Sequence, residues 1–155
     1  MHIYFSLGTN LGDKEQNLRL AVQKIEERIG KVVSLSAFYA TVPWGFSSEN
    51  MLLNGALCVD TLLTPMEILS LTQEIEREMG RAPKSINRTY SDRPIDIDLL
   101  LYGDLVLDTP ELKLPHPLMQ ERRFVVEPLV EIAPELVHPV LKKKMRELFN
   151  FKCDQ

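Results

Sequence analysis

Residues 64–80, with the sequence TPMEILSLTQEIEREMG, carry the clearest secondary-structure signal in the chain. Thr64 is a favoured N-cap residue, Pro65 suits the first helical position, and Glu67 completes a capping box. Apolar residues then recur every three or four positions up to Gly80, a residue type that commonly ends helices. The apolar positions are Ile68, Leu71, Ile75 and Met79. The stretch predicts an amphipathic helix with one buried face.

Strand patterns flank this predicted helix on both sides. Residues 51–63 before it and 95–102 after it are rich in aliphatic residues and predict strands. A polar loop over 81–94 separates the helix from the second of these strands. Gly103 and Asp104 then predict a turn into residues 105–107, so a hairpin is expected there.

The N-terminal half predicts the same alternation of elements. Residues 2–7 are rich in strand formers and predict a strand. Apolar residues from Leu18 to Ile29 recur at helical spacing, and Gly30 predicts the end of that helix. Residues 32–42 predict one long strand. These elements precede the strand over 51–63 and the helix described above.

The order β-α-β-β-α-β predicts an α+β fold, a ferredoxin-like sandwich with a C-terminal extension of a hairpin and short helices. The short helices are expected near 118–132 and 141–150. The chain has 155 residues, of which 45% are hydrophobic, and this size suits one domain with its own core. Residues 1–155 are therefore expected to form a single domain.

Composition argues against several classes of protein. No apolar run approaches the ~18–20 residues that cross a bilayer, and the N-terminus lacks the pattern of a signal peptide, so no membrane association is expected. Only Cys58 and Cys153 occur, which supports neither a disulfide scaffold nor a cysteine zinc site, and the cytoplasm is the expected location. The net charge of −4 argues against a general nucleic-acid-binding protein.

One stretch is basic against this acidic background. From Arg77 to Arg93 there are five basic residues and two acidic ones. Such a cluster can bind an anion, and it is equally typical of a solvated loop. The chain has no Gly-x-x-x-x-Gly-Lys-Ser/Thr motif, no protein-kinase glycine loop and no Gly-x-Ser-x-Gly elbow, so any phosphate chemistry must use another type of site.

Asp96 and Asp98 form the most specific local signal for chemistry. Alternate residues of a strand share a face, so the two carboxylates are expected on one face and Ile95, Ile97 and Leu99 on the other. Paired carboxylates with room for phosphate oxygens suit Mg²⁺. The alternative is the exposed polar face of an amphipathic strand. The basic stretch directly upstream favours a nucleotide-phosphate site.

Three further groups of residues have both a functional and an ordinary structural interpretation. Leu69, Gln73 and Glu76 share a helix face that could bind polar edges of a nucleotide or face solvent. His116 lies between two prolines, which fix the backbone around it, and could contact phosphate or simply occupy a turn. The sequence 122–124 places arginines beside Phe124, which could stack on a heterocycle or belong to the core.

Taken together, these residues resemble the 6-hydroxymethyl-7,8-dihydropterin pyrophosphokinase family. The resemblance extends from residue 6 to about residue 136, with the motifs in the order and near the spacing of the family. The matching segments are 6–12 (SLGTNLG), 41–45 (TVPWG), 53–56 (LNGA), 80–81 (GR), 92–100 (DRPIDIDLL), 114–117 (LPHP) and 122–124 (RRF). The combination of the Arg-x-x-Asp-x-Asp-Leu and Pro-His-Pro segments is highly specific.

The resemblance implies an Mg²⁺-dependent ATP:pterin diphosphotransferase of folate biosynthesis. The hydroxymethyl oxygen of the pterin would attack the β-phosphorus of ATP, and AMP would leave. Asp96 and Asp98 would hold two Mg²⁺ ions that bridge the triphosphate and the attacking hydroxyl. Arg81 and Arg93, on the loop over 81–94, would close over the phosphates.

The resemblance also implies which residues bind each substrate, both of them small molecules. The ATP site would comprise Leu69, Gln73, Glu76, Lys84, Leu99, Lys113, His116 and Arg122. The pterin site would comprise Thr41, Pro43, Trp44, Asn54 and Phe124. A monomer is expected. Lys84, Leu52 and Tyr90 depart from the family pattern, where arginine, an aromatic residue and tryptophan are common, and are expected to alter affinity or loop kinetics more than the reaction.

Two other functions remain open on the residues alone. A different Mg²⁺-dependent phosphoryl-transfer enzyme would use the same aspartates but would not need Thr41, Asn54 and Phe124 around a pterin. A non-catalytic module that binds RNA, for example, would need exposed aromatic residues and a basic sheet face. Asp96 and Asp98 have the wrong charge for that face.

Overall fold

The structure, a computed structural model, describes residues 1–41, 51–80 and 94–152. Its main sheet has five strands, β1 (His2–Thr9), β2 (Lys31–Leu35), β3 (Tyr39–Thr41), β4 (Leu52–Asp60) and β5 (Asp96–Tyr102). The helices are α1 (Lys14–Arg28), α2 (Pro65–Glu78), α3 (Arg123–Ile132) and α4 (Met145–Lys152), with a 3-10 helix at Met119–Glu121. A second, two-stranded sheet consists of β6 (Leu107–Asp108) and β7 (Lys113–Leu114).

The main sheet confirms the predicted fold class. Its strand order is β2-β4-β1-β5, every pair is antiparallel, and β3 pairs with β4 on the same side as β2. This is the strand order of a ferredoxin-like β-α-β-β-α-β sandwich. Helices α1 and α2 pack on one face, and α3, supported by α4, packs on the other.

Each face of the sheet has its own hydrophobic core. The first core, under α1 and α2, includes Phe5, Leu7, Ile25, Ile75 and Ile97, all at most 5% exposed. The second core, under α3 and α4, is formed by Ala56, Leu100, Leu101, Met119, Val125, Leu129, Met145 and Leu148. The C-terminal extension therefore covers a sheet face that would otherwise be open to water. Within the described ranges, no helix is both long and apolar enough to span a bilayer.

Helix α2 begins as the sequence predicts. The Glu67 N–H donates to Thr64 Oγ1 at 3.2 Å, and the Thr64 N–H donates to Glu67 Oε1 at 2.8 Å, which is a complete capping box. The helix ends at Glu78, and Gly80 follows with a φ of 98°, a left-handed conformation that suits glycine.

The prediction of one long strand over 32–42 is wrong. Strand β2 ends at Leu35 and β3 begins at Tyr39. Ser36 causes the break, because its Oγ accepts the Ala56 N–H at 2.9 Å and donates to the Ala37 carbonyl at 2.7 Å. A side chain thus takes over a bond that the backbone of a continuous strand would make.

The prediction of a hairpin between the strand over 95–102 and residues 105–107 is also wrong. A turn does form, with the Leu105 N–H donating to the Tyr102 carbonyl at 3.0 Å. The chain then leaves β5, and β6 pairs with β7 instead. The strand predicted over 51–63 is shorter than expected and ends at Asp60. The short helices expected near 118–132 and 141–150 are present as α3 and α4.

Candidate active site

Four directly paired residues form a row across the main sheet, and this row includes two of the candidate site residues, Asp96 and Asn54. Asp96 lies opposite Gly8, Gly8 lies opposite Asn54, and Asn54 lies opposite Tyr39. Directly paired residues of neighbouring strands point to the same face. The side chains of this row therefore lie on the α3 face of the sheet.

The two aspartates show the alternation that the sequence predicts. Ile97 and Leu99 are buried in the first core, whereas Asp96 and Asp98 between them are only partly buried. The carboxylates thus share the opposite face, about 7 Å apart along the strand. Both aspartates retain partial access to solvent.

Glu76 does not lie on a solvent face, which was one of its two interpretations. The residue is 7% exposed, and its Oε2 accepts the Ile97 N–H at 2.7 Å. Because β5 is an edge strand among the described residues, no described strand lies beside this N–H, and the buried carboxylate of α2 satisfies it. Glu76 thereby anchors the residue that separates Asp96 from Asp98. Gln73, three positions earlier on α2, is exposed to solvent.

A cleft of about 270 Å³ runs along the outer edge of β5. Helix α2, strand β5 and the segment that contains β7 all contribute to its walls. The lining residues are Leu69, Thr72, Ile97, Asp98, Leu99, Pro110, Glu111, Leu112, Lys113, His116 and Pro117. Five residues predicted for ATP or metal, from three separate parts of the sequence, therefore meet at one cleft: Leu69, Asp98, Leu99, Lys113 and His116.

Two of these cleft residues have defined local partners. Lys113 Nζ pairs with Asp108 Oδ1 at 2.5 Å across the small sheet. The His116 N–H donates to the Leu100 carbonyl at 2.9 Å, which ties the Pro-His-Pro segment to β5. His116 Nδ1 lies 2.9 Å from the carbonyl oxygen of Pro117, and His116 is half-buried.

Thr41 and Asn54, both predicted for the pterin, are in direct contact. Thr41 Oγ1 donates to Asn54 Oδ1 at 3.3 Å, and Asn54 Nδ2 donates to the Leu7 carbonyl at 3.5 Å. Gly8 makes room for this amide, because a Cβ there would lie 2.8 Å from Asn54 Nδ2. Asn54 is only 4% exposed, so its orientation is set by these neighbours.

Arg122 and Phe124 lie at the start of α3 rather than in the wall of the cleft. Arg122 occupies the N-cap position with extended backbone, and its side chain is exposed. Phe124 is half-buried and packs against the second core. The structure therefore separates these two residues from the cleft that contains Lys113 and His116.

One connection near the site was not predicted from the sequence. Glu131 of α3 accepts the Tyr39 hydroxyl through Oε1 at 2.5 Å and the Ala37 N–H through both oxygens at 3.1 Å. The hydrogen bond to Glu131 and partial burial raise the pKa of Tyr39 to about 12. No local pattern indicates this contact, because Tyr39 and Glu131 are 92 residues apart in sequence.

Several predicted residues lie outside the described part of the chain. These are Pro43, Trp44, Arg81, Lys84 and Arg93, together with Tyr90. Among the described residues, no three His, Cys, Asp or Glu side chains come together as a metal-binding cluster. A metal site here would thus depend on the aspartate pair and on oxygen atoms of a ligand.

Comparison with known proteins identifies relatives over almost the whole chain. A family model described as 7,8-dihydro-6-hydroxymethylpterin-pyrophosphokinase matches residues 4–134. The chain is 48% identical over 138 residues to the 2-amino-4-hydroxy-6-hydroxymethyldihydropteridine pyrophosphokinase of Porphyromonas gingivalis, covering 88% of this chain and 93% of the relative. A protein of the same name from Aquifex aeolicus is 38% identical over 145 residues, covering 94% of this chain and 88% of the relative.

The fold has solved counterparts as well. It matches the wild-type HPPK-DHPS of Plasmodium falciparum with pteroate at a TM-score of 0.75 and 17% sequence identity. The match covers 96% of this chain and 42% of that longer chain. At this identity the likeness establishes the fold, and the sequence relatives establish the family. The chain belongs to the 7,8-dihydro-6-hydroxymethylpterin-pyrophosphokinase family and is a pyrophosphokinase of folate biosynthesis.

Proposed function

We propose that the chain transfers the diphosphate of ATP to the hydroxymethyl group of 6-hydroxymethyl-7,8-dihydropterin with the aid of two Mg²⁺ ions, and that Asp96 and Asp98 are the metal ligands. The observation that carries the proposal is the position of β5. This strand presents both carboxylates on one face, while its outer edge forms a wall of the 270 Å³ cleft. The same strand therefore borders a space for ATP and the row that contains Asn54.

The donor chemistry of the aspartate pair fits Mg²⁺. This ion prefers oxygen ligands, and in phosphate-transferring sites it is held by one or two carboxylates and by the phosphates of the substrate. Asp96 and Asp98 supply two carboxylates on one face, and no cluster of nitrogen or sulfur ligands competes with them among the described residues. When bound, the ions would neutralise the triphosphate and make the hydroxyl easier to deprotonate.

The ATP site that we propose combines apolar and cationic residues. Leu69 and Leu99 supply apolar surface for the adenine, and Lys113 and His116 supply polar and cationic groups for the ribose and phosphates. Further contacts are assigned on the family resemblance. They come from Gln73, Glu76, Lys84 and Arg122, with Arg81 and Arg93 over the phosphates.

The proposed pterin site lies at the β3 end of the row. Thr41 and the buried amide of Asn54 offer hydrogen bonds to the polar edge of the ring. Phe124 offers an aromatic face for stacking. Pro43 and Trp44 are assigned to the same site on the family resemblance.

The chemistry demands alignment and charge neutralisation more than covalent help from the protein. The bond between the hydroxymethyl oxygen and the β-phosphorus forms as the bond from that phosphorus to the α-phosphate oxygen breaks. AMP leaves with that oxygen, and the hydroxyl proton is released. The cleft residues bind one reactant, the Thr41–Asn54 pair binds the other, and Asp96 and Asp98 lie on the strand between them.

The test is an assay of AMP formation with purified protein, Mg²⁺, ATP and the pterin. We expect pterin-dependent AMP that falls by at least about 1000-fold in Asp96→Ala/Asp98→Ala, because the developing phosphate charge loses its neutralisation. Asp104→Asn is the matched control, since Asp104 is an exposed aspartate in the turn just after β5. It should retain wild-type activity and magnesium dependence.

Other products would indicate the rival functions. ADP or free phosphate, or turnover that does not respond to the pterin, would indicate a different Mg²⁺-dependent phosphoryl-transfer enzyme. A folded protein that forms no product at all would indicate a binding module. Activity that is indifferent to magnesium and to both substitutions would contradict the metal assignment.

We also propose that residues 1–155 act as one monomeric domain that binds small molecules in the cytoplasm. Support for the single monomeric domain comes from the two cores, since helices of the chain itself cover both faces of the sheet. The net charge of −4 supports small-molecule partners rather than nucleic acid. Light scattering of the purified chain should give the mass of one copy, 17.8 kDa. A concentration-independent dimer would contradict the monomer.

A further inference from the structure

Two elements that carry proposed pterin residues are joined by Glu131. Strand β3 carries Tyr39 and Thr41, and α3 carries Phe124 and Glu131. The Glu131 carboxylate accepts hydrogen bonds from the Tyr39 hydroxyl and the Ala37 N–H. It therefore bridges the strand and the helix that carry the proposed pterin residues Thr41 and Phe124.

The spacing along each element strengthens this connection. Tyr39 and Thr41 are two residues apart on β3, so their side chains share a face. Phe124 and Glu131 are seven residues apart on α3, which is close to two full turns, or about 10 Å of rise on the same helix face. The bond between Tyr39 and Glu131 thus joins the faces that present Thr41 and Phe124.

Strand β3 depends on such a contact more than the other strands of the sheet do. It has three described residues, β4 is its pairing partner within the described part of the chain, and Ser36 interrupts its continuity with β2. The Ala37 N–H, at that interruption, points to Glu131 rather than to a neighbouring strand. Among the bonds described for residues 36–41, those to Glu131 are the ones that tie this segment to α3.

We propose that Glu131 is a positioning residue for the pterin site: it sets the separation between β3 and α3 and thereby the separation between Thr41 and Phe124. This inference rests on the proposed pterin assignment of those two residues. Glu131 itself touches neither reactant in this proposal. It acts through Tyr39 and the backbone at Ala37.

The geometry predicts that ATP binding does not depend on the hydrogen bonds of Glu131. The ATP cleft lies along β5, and β5 and β3 are at opposite edges of the sheet with β1 and β4 between them. A loss of Glu131 should therefore weaken the pterin without weakening ATP. A general loss of stability would weaken both ligands together.

The experiment compares Glu131→Ala and Tyr39→Phe with wild type. ATP binding to the free protein and pterin binding in the presence of a non-hydrolysable ATP analogue are measured by calorimetry, and kcat and KM are measured for each substrate. We expect the pterin Kd and KM to rise about tenfold in Glu131→Ala, the scale of one charge-assisted hydrogen bond. ATP constants should stay within about twofold, and kcat at saturating pterin should stay near wild type.

Tyr39→Phe is the milder variant, because it removes one hydroxyl and leaves the Ala37 bond in place. We expect a rise of about threefold in the pterin Kd, and no further rise when Tyr39→Phe is added to Glu131→Ala, because both substitutions remove the same bond. Glu135→Gln is the matched control. Glu135 is an exposed glutamate that pairs with Lys144 and Arg146, away from β3.

The outcomes separate this inference from the proposed function. A wild-type chain that binds ATP but no pterin would overturn both. Wild-type pterin binding, with equal losses for ATP and pterin in Glu131→Ala, would overturn the positioning role alone. Additive effects of the two substitutions, or a lowered melting temperature with unchanged pterin affinity, would overturn it as well.

Discussion

At each edge of the main sheet a glutamate accepts a backbone N–H, and one of these glutamates is buried whereas the other is exposed. At the β5 edge, Glu76 is 7% exposed and accepts the Ile97 N–H from within the packing of α2. At the β3 edge, Glu131 is exposed and accepts donors from Ala37 and Tyr39. The hydrogen bond at the β5 edge is therefore protected by burial. The hydrogen bonds at the β3 edge are accepted by an exposed carboxylate, which water can replace.

This difference relates to what each edge does in the proposed reaction. A strand that carries metal ligands must hold two carboxylates in fixed register, which a buried hydrogen bond favours. A strand that contacts the second substrate can tolerate an exposed bond, because its position is also supported by pairing with β4. We expect the loss of Glu76 to affect the whole molecule and the loss of Glu131 to affect one ligand.

The largest effect should come from the buried edge. Glu76→Ala leaves the Ile97 N–H without an acceptor, and we expect the free energy of unfolding to fall by about 2 kcal/mol. Activity should fall with both substrates saturating, because Asp96 and Asp98 flank Ile97. Urea unfolding and kcat measure the two effects.

Glu76→Gln is the matched variant, since its amide oxygen can still accept the Ile97 N–H. It should recover most of the stability lost in Glu76→Ala. Equal losses in both variants would show that the charge, and not this hydrogen bond, supports the β5 edge.

An intermediate effect should come from Gly8, in the middle of the row between the edges. In Gly8→Ala the new Cβ would lie 2.8 Å from Asn54 Nδ2, so the buried amide must move. We expect the pterin Kd to rise about tenfold, the equivalent of one altered hydrogen bond, while the ATP Kd changes little. Calorimetric titration with each ligand measures the difference.

The Asn54→Ala background provides the control for this steric explanation. With no amide to displace, Gly8→Ala should have little further effect on pterin binding. An undiminished effect in that background would mean that Gly8 acts on the site by another route.

The smallest effect should come from Glu78, an exposed carboxylate two residues from Glu76 on the same helix. Hydrogen bonds from Arg28 and Lys24 of α1, at 2.7 and 3.2 Å, lower the pKa of Glu78 from 4.5 to about 2. A lowered folded-state pKa stabilises the fold above the unfolded-state pKa, and this contribution is lost as the pH falls from about 4.5 to about 2. Glu78→Gln should therefore show a slightly lower melting temperature at pH 7 and a flatter decline in acid.

Melting temperature as a function of pH measures this effect, and Glu27→Gln, at an exposed position on α1, is the control. A decline in acid that is as steep in Glu78→Gln as in wild type would show that Glu78 contributes nothing. A loss at pH 7 larger than that of Glu76→Ala would reverse the ranking of buried and exposed carboxylates.

Elements with local signals were predictable from the sequence. The capping box of α2 depends on Thr64 and Glu67, three residues apart, and the face shared by Asp96 and Asp98 depends on residues two apart. The β-α-β-β-α-β order follows from such local patterns, and with it the fold class. The break at Ser36 and the pairing of β6 with β7 were not predictable in this way, because a partner from another element decides each of them.

The sequence by itself determined the order of the elements, the alternation along β5 and the motifs that identify the family. Only the tertiary structure decided that Leu69, Leu99 and Lys113 line one cleft, that Glu76 is buried against β5, and that Glu131 holds β3. The physical reason is the range of the interactions. Helix and strand periodicity is set by neighbours a few residues apart, whereas a carboxylate acquires its partner only when packing brings distant segments together.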